Sequence, residues 1–271
     1  MTVWVWDSQE SRFEEAPEDV GTWTLLAADS WLVEEGQVRA FERHRARFAD
    51  AAVQVGVGAL VTAEFWASVV EKIPEAGEWF PRVDVLETAP GGTRVLALRL
   101  RPAPPRTHEL GVLIPPYFDP RSTPGRKGPD IAMLENLRTQ AREEYDCDEV
   151  LLLSKDGYVI EGATTSLLWW DGDTLCAPDP ALGALPGVTS ALILNEARVR
   201  SIPVEYHQVR PEVLIRHEAW LVNALHGIRR VYQLVDTRTD SSPVHVQSAT
   251  AVVFGRWREW MNSRQRRFLR Q

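Results

Sequence analysis

Eight prolines fall between Arg101 and Pro129, interrupted by a single apolar run at residues 110–114. Proline fixes φ and carries no N–H, so this stretch can hold neither a helix interior nor a set of central strands. It reads as a linker around one strand, and it divides a chain of 271 residues into two parts. Each part is long enough to bury its own core. The expected organisation is a small first domain over residues 1–115, a linker over 116–126 and a second domain over 127–271.

On either side of the linker the patterns alternate. Residues 3–6, 23–27, 82–86 and 95–100 read as strands, and Glu35-Gly36 as a hairpin turn. His44, Phe48 and Ala52 are spaced four apart, which predicts a helix over 41–55, and Thr62 is placed to cap a second one ending near Pro74. Beyond the linker, Ile131, Leu134, Leu137 and Ala141 recur at helical spacing. Strands are expected at 150–153, at 158–170 after the Asp156-Gly157 turn, at 174–177, at 204–209 and at 219–223. A further helix begins after Pro186-Gly187. The fold class is α+β, in two domains.

Composition removes several functions. A net charge of −8 and a pI near 5.4 argue against nucleic acid as a partner. No run reaches the ~18 apolar residues that a membrane span needs, and the N-terminus lacks the pattern of a signal peptide. The two cysteines, Cys147 and Cys176, have no metal-ligand spacing, so no metal is expected, and two free thiols suit a reducing cytoplasm. The arginine-rich stretch 256–270 is read as a solvated helix face, with Trp257 and Trp260 turned inward. Trp169 and Trp170 are read as core or dimer packing.

Three features in the second half can carry chemistry. Lys127 stands in Gly125-Arg126-Lys127-Gly128-Pro129-Asp130, where desolvation would make its amine nucleophilic; alone, it is an ordinary loop charge. Glu161 lies in the apolar run Tyr158-Val159-Ile160-Glu161-Gly162-Ala163, and burial there requires a partner; otherwise it is an exposed strand residue. Leu185-Pro186-Gly187-Val188-Thr189-Ser190 precedes a helix, so the amides of Val188 and Thr189 could receive an anion, or the run is a plain N-cap. Together they are what pyridoxal phosphate requires: a lysine for the aldehyde, a charge partner for the ring nitrogen and an anion site.

Their order and spacing resemble the class IV aminotransferases, a family that includes branched-chain aminotransferases, D-amino-acid aminotransferases and aminodeoxychorismate lyase. The resemblance is carried by Asp148-Glu149-Val150-Leu151-Leu152-Leu153, by Asp156-Gly157-x-Val159-x-Glu161-Gly162 and by Leu185-x-Gly187-Val188-Thr189. Upstream, His44-x-x-Arg47-Phe48 is similar to the family's His-Leu-x-Arg-Leu. Downstream, Asn223-Ala224-Leu225 looks like a phosphate or substrate loop, closest to that of the lyase branch.

The resemblance implies fold type IV, a homodimer, and cofactor held between a small N-terminal α/β domain and a larger C-terminal cofactor-binding domain. Lys127 would carry the cofactor and move the proton at the substrate α-carbon. Glu161 would face the ring nitrogen. Arg47, Gly187, Val188 and Thr189, with Asn223, Ala224 and Leu225, would hold phosphate or substrate. The implied reaction is amino transfer between a small amino acid and a 2-oxo acid. The alternatives are a pyruvate-releasing lyase acting on an amino-chorismate-like substrate, or a non-catalytic homologue. The family's Gly-Asp-Gly-x-Phe-Glu-Thr segment is here Ala27-Ala28-Asp29-Ser30-Trp31-Leu32-Val33, and the Asn of the Ser-Asn pair after Glu161 is replaced, leaving Thr165-Ser166. His226, after the Asn-Ala-Leu run, reads as a satisfied histidine rather than a catalytic one.

Overall fold

The computed structural model describes residues 2–239, 242–246 and 251–267. The chain forms two compact units, each assembled from separated segments.

The first unit comprises Met1–Pro105, Arg126–Pro129 and Arg264–Gln271. Its elements are β1 (Thr2–Asp7), β2 (Arg12–Glu15), β3 (Thr24–Ser30), β4 (Val33–Glu34), β5 (Gln37–Arg39), α1 (Phe41–Gln54), α2 (Ala63–Lys72), β6 (Glu78–Trp79), β7 (Arg82–Glu87) and β8 (Arg94–Leu100). The main sheet has the order β2-β1-β8-β7-β3 and is antiparallel throughout. Thr62 caps α2 as expected, its hydroxyl accepting from the Phe65 amide. Phe48, Phe65 and Trp66 meet one another at ring-centroid distances of 5.2–6.2 Å and join Val83, Val85, Leu96 and Leu98 in the core. Burying each such side chain is worth about 1.5–3 kcal/mol.

The second unit comprises Arg106–Gly125 and Asp130–Ser263. It contains β9 (Glu109–Ile114), α3 (Ile131–Tyr145), β10 (Glu149–Leu153), β11 (Val159–Gly162), β12 (Ser166–Asp171), β13 (Thr174–Pro178), α4 (Val188–Val199), β14 (Val204–His207), the short α5 (Pro211–Leu214), β15 (Glu218–Asn223), β16 (Gly227–Asp236), β17 (Pro243–His245) and α6 (Ala251–Asn262). Its sheet runs β11-β10-β9-β16-β15-β12-β13-β14, with β17 on β16. β9 is parallel to both β10 and β16. Trp170, Trp220 and Trp257 pack edge to face in one core, and the Arg200 guanidinium lies 4.9 Å from the Trp257 ring.

Several expectations change. The run 158–170 is two strands, because Ala163, Thr164 and Thr165 turn the chain between β11 and β12. β16 is ten residues long and lies inside the sheet, yet Arg229 and Arg230 break its apolar pattern. The arginine-rich end is not one helix: α6 stops at Asn262, and Gln265–Arg267 is a strand on β5. Trp257 is buried as expected; residues 268–271 lie outside the described residues. The division of the chain also differs from a break at 116–126. Arg126–Pro129, Lys127 included, packs with the first unit, because its backbone is hydrogen-bonded to β3.

Candidate active site

In the first unit, β3 delivers the fully buried Asp29 to one face of α1. Asp29 Oδ1 accepts from its neighbour Ser30's amide at 2.7 Å, from His44 Nδ1 at 2.8 Å and from Arg47 Nη2 at 2.9 Å. Oδ2 accepts from Arg47 Nε at 2.7 Å. His44 and Arg47, three residues apart, share a helix face and so reach one carboxylate. Burial alone would push the Asp29 carboxyl up. Arg47 and His44 together outweigh it and hold it well below the usual carboxylate range. Burial pushes His44 down against the pull of Asp29, so the neutral ring donates from Nδ1.

Next along β3, the Ala28 amide donates to the Lys127 carbonyl at 2.7 Å, and Arg126 Nε donates to the Leu26 carbonyl at 2.9 Å. Gly128 makes this close approach possible. Its φ is +144°, and a Cβ there would stand 2.6 Å from Ala27 Cα. Lys127 is half-buried, and its charge contributes to lowering the His44 pKa. Of the predicted residues, the first unit therefore groups Lys127 and Arg47 around Asp29.

In the second unit, Glu161 on β11 is buried with Arg121, each side chain 5% exposed. Glu161 Oε1 accepts from Arg121 Nη1 at 2.6 Å and from the Leu185 amide at 2.7 Å. Arg121 is held in turn by Asp119, whose Oδ2 accepts from Nη2 at 2.8 Å. Burial pushes the Glu161 carboxyl up to about 7, against the pull of Arg121. The Leu185 bond brings the run leading into α4 up to Glu161. Gly187 is the N-cap of α4, and among the described residues no side chain makes a cap hydrogen bond there. The plain N-cap reading of this run therefore has no side-chain hydrogen bond behind it among the described residues. Gly187 is closely packed: a Cβ would come within 2.3 Å of Ser166 Oγ.

Ser166 pairs across the sheet with Val222, and Asn223 Nδ2 reaches the Thr164 carbonyl at 3.4 Å. Asn223 Oδ1 also accepts from the His226 amide at 2.8 Å, closing the turn that contains Ala224 and Leu225. Glu161, Gly187–Thr189 and Asn223–Leu225 thus converge at the ends of β11, β12 and β15. His226 Nδ1 accepts from the Thr107 amide at 3.2 Å. Burial, and then Arg229, Arg138 and Arg106, lower its pKa to about 3. Sequence reasoning missed Asp29 and Arg121. Asp29 is the one acid of the altered segment 27–33, whereas Arg121 had only the local pattern Asp119-x-Arg121 to mark it.

The sequence matches the family Amino-transferase class IV over residues 26–234, more than half of the chain. The chain belongs to the class IV aminotransferase family. Members of this family are pyridoxal-phosphate enzymes, and the span matched takes in Asp29, Arg47, Lys127, Glu161, Gly187 and Asn223. Solved structures agree in fold. A hypothetical aminotransferase from Mycobacterium tuberculosis, solved with α-ketoglutarate and PMP bound, superposes with a TM-score of 0.76 at 18% identity, covering 96% of this chain and 98% of that one. A branched-chain aminotransferase from Thermoproteus uzoniensis with norvaline gives 0.76 at 16%, covering 97% and 93%. A Legionella pneumophila protein assigned as a 4-amino-4-deoxychorismate lyase gives 0.72 at 15%, covering 88% and 90%. No curated protein sequence matches the chain significantly. Among the described residues, no helix is long and apolar enough to cross a membrane.

Proposed function

We propose that this class IV family member is a pyridoxal-phosphate-dependent aminotransferase that passes an amino group between a small amino acid and a 2-oxo acid. The observation that carries the reading is the grouping of Lys127 with an arginine already fixed by a buried carboxylate. Packing alone would ask for neither.

The residues fit the cofactor. α4 begins at Gly187 with the amides of Val188 and Thr189, and Arg47 offers a guanidinium, so both suit a phosphate. Glu161 is buried and titrates near neutrality, which suits sharing a proton with a ring nitrogen. When bound, pyridoxal phosphate supplies an electron sink for the pair left at the substrate α-carbon.

Lys127 would hold the cofactor's aldehyde through Nζ, and its amine, once displaced by the substrate amine, would take and return the proton at the substrate α-carbon, help typically worth ~10²–10⁴ in rate. Glu161 would face the ring nitrogen and so orient the ring. Arg47 and the amides of Val188 and Thr189 would hold the phosphate, and Asn223, Ala224 and Leu225 would shape the turn toward phosphate or substrate. We place the protein in the cytoplasm as a homodimer, with residues 127–271 supplying most of the cofactor contacts.

The test is the visible absorbance of purified protein loaded with pyridoxal phosphate. Wild type shows a band that borohydride reduces, and Lys127→Ala does not. An unchanged, unreduced band in the variant rules the assignment out. Amino transfer requires an added 2-oxo acid, whereas pyruvate release without one identifies the lyase reaction.

A further inference from the structure

We infer that Asp29 is a positioning residue that fixes the guanidinium of Arg47 for a phosphate-bearing ligand. The inference rests on the phosphate role of Arg47 given above. Asp29 sits at the end of β3, fully buried, and its two oxygens accept from Arg47 Nε at 2.7 Å and Nη2 at 2.9 Å. This fork-to-fork pairing fixes one edge of the planar guanidinium and aims the opposite edge, with Nη1, away from the carboxylate.

The rest of the Asp29 environment keeps the carboxylate itself from moving. Oδ1 also takes the Ser30 amide at 2.7 Å and His44 Nδ1 at 2.8 Å. His44 is in turn packed against Trp31, ring centroids 6.0 Å apart, and its side chain is 3% exposed. The charged end of a long side chain, itself only 16% exposed, is therefore held in one orientation before any ligand arrives. That removes rotamer entropy that binding would otherwise have to overcome. The same β3 segment binds the Lys127 backbone through Ala28, so one strand sets both the arginine and the lysine.

A carboxylate also lowers the local positive charge, which works against phosphate attraction. The two effects make opposite predictions for Asp29→Asn. If orientation dominates, the change weakens phosphate binding; if charge dominates, it strengthens it.

The experiment titrates full-length protein, freed of cofactor, with pyridoxal phosphate and separately with pyridoxal, following tryptophan fluorescence. Asp29→Asn is expected to raise the Kd for pyridoxal phosphate about tenfold and that for pyridoxal by less than about twofold. Asp29→Glu, which keeps the charge, falls between wild type and Asp29→Asn. In an Arg47→Ala background, adding Asp29→Asn costs no further affinity, because the two act through one guanidinium. Equal losses for both ligands, a tighter complex with pyridoxal phosphate, or fully additive losses in the double variant each overturn the inference. An Arg47→Ala chain with undiminished preference for pyridoxal phosphate overturns the phosphate role of Arg47, and this inference with it. A chain in which Arg47→Ala loses that preference and Asp29→Asn does not overturns the role of Asp29 alone.

Discussion

Arg121 Nη1 lies 2.6 Å from Glu161 Oε1, and the guanidinium so held is gripped on its other side by Asp119. Two carboxylates thus share one buried cation. Removing that cation leaves two acids facing each other out of water, which costs more than the pair contributes when whole. Arg121→Met is expected to lower unfolding free energy by about 3–5 kcal/mol in urea titrations. A loss below about 1 kcal/mol would mean that the carboxylates find other partners or protonate at little cost.

The raised pKa of Glu161 gives stability a definite slope. The folded protein holds this proton up to about 7, while the unfolded chain releases it near the ordinary 4.5. The native state therefore binds more protons in that window, and stability falls as pH rises through it, by up to about 3 kcal/mol. Glu161→Gln removes the slope. Denaturation midpoints of both proteins at pH 5 and pH 8 read it directly, and parallel changes would refute the assignment.

His226 acts in the opposite sense. Its folded pKa, about 3, lies below the ordinary 6.5, so the unfolded chain takes up the proton first. The contribution is present above pH 6.5 and is lost as pH falls, amounting to about 1–2 kcal/mol by pH 5. His226→Asn keeps an acceptor for the Thr107 amide and flattens the acid limb. A wild type and variant that lose stability together between pH 6.5 and 5 would exclude His226 as the source.

Gly128 should be the most sensitive glycine of the site. At φ +144° an L side chain is strained, and the 2.6 Å approach to Ala27 Cα involves backbone that cannot step aside. Gly128→Ala is expected to cost more than about 2 kcal/mol and to weaken cofactor attachment at Lys127. Calorimetry and the visible band of the loaded protein check the two halves. Gly187→Ala is a useful contrast, since there the nearest atoms are the hydroxyls of Ser166 and Ser190, which can turn away.

Much of this was legible in the chain itself. Helix spacing, the Thr62 cap and the hairpin turns report local backbone physics, and they placed α1, α2, β7 and β8 within a residue or two. Glu161 was legible because a lone acid in an apolar strand demands an explanation. β16 was not, since two adjacent arginines masked a strand whose Arg229 is buried by the sheet around it. Arg121 and Asp29 were hidden for another reason. Each acquires its role from a partner 40 or 18 residues away, and no periodicity records such a pairing.

The first unit is stitched from three stretches of chain, the last of which adds Gln265–Arg267 to β5. A ribosome therefore cannot finish it early. Residues 1–105 emerge without the segment that carries Lys127 and without the edge that Gln265 pairs to Arg39. The nascent chain must hold an incomplete sheet while more than a hundred further residues are made. Expressing 1–105 as an excised fragment should accordingly give an aggregation-prone product, and this unit cannot be completed before residues 265–267 have been made.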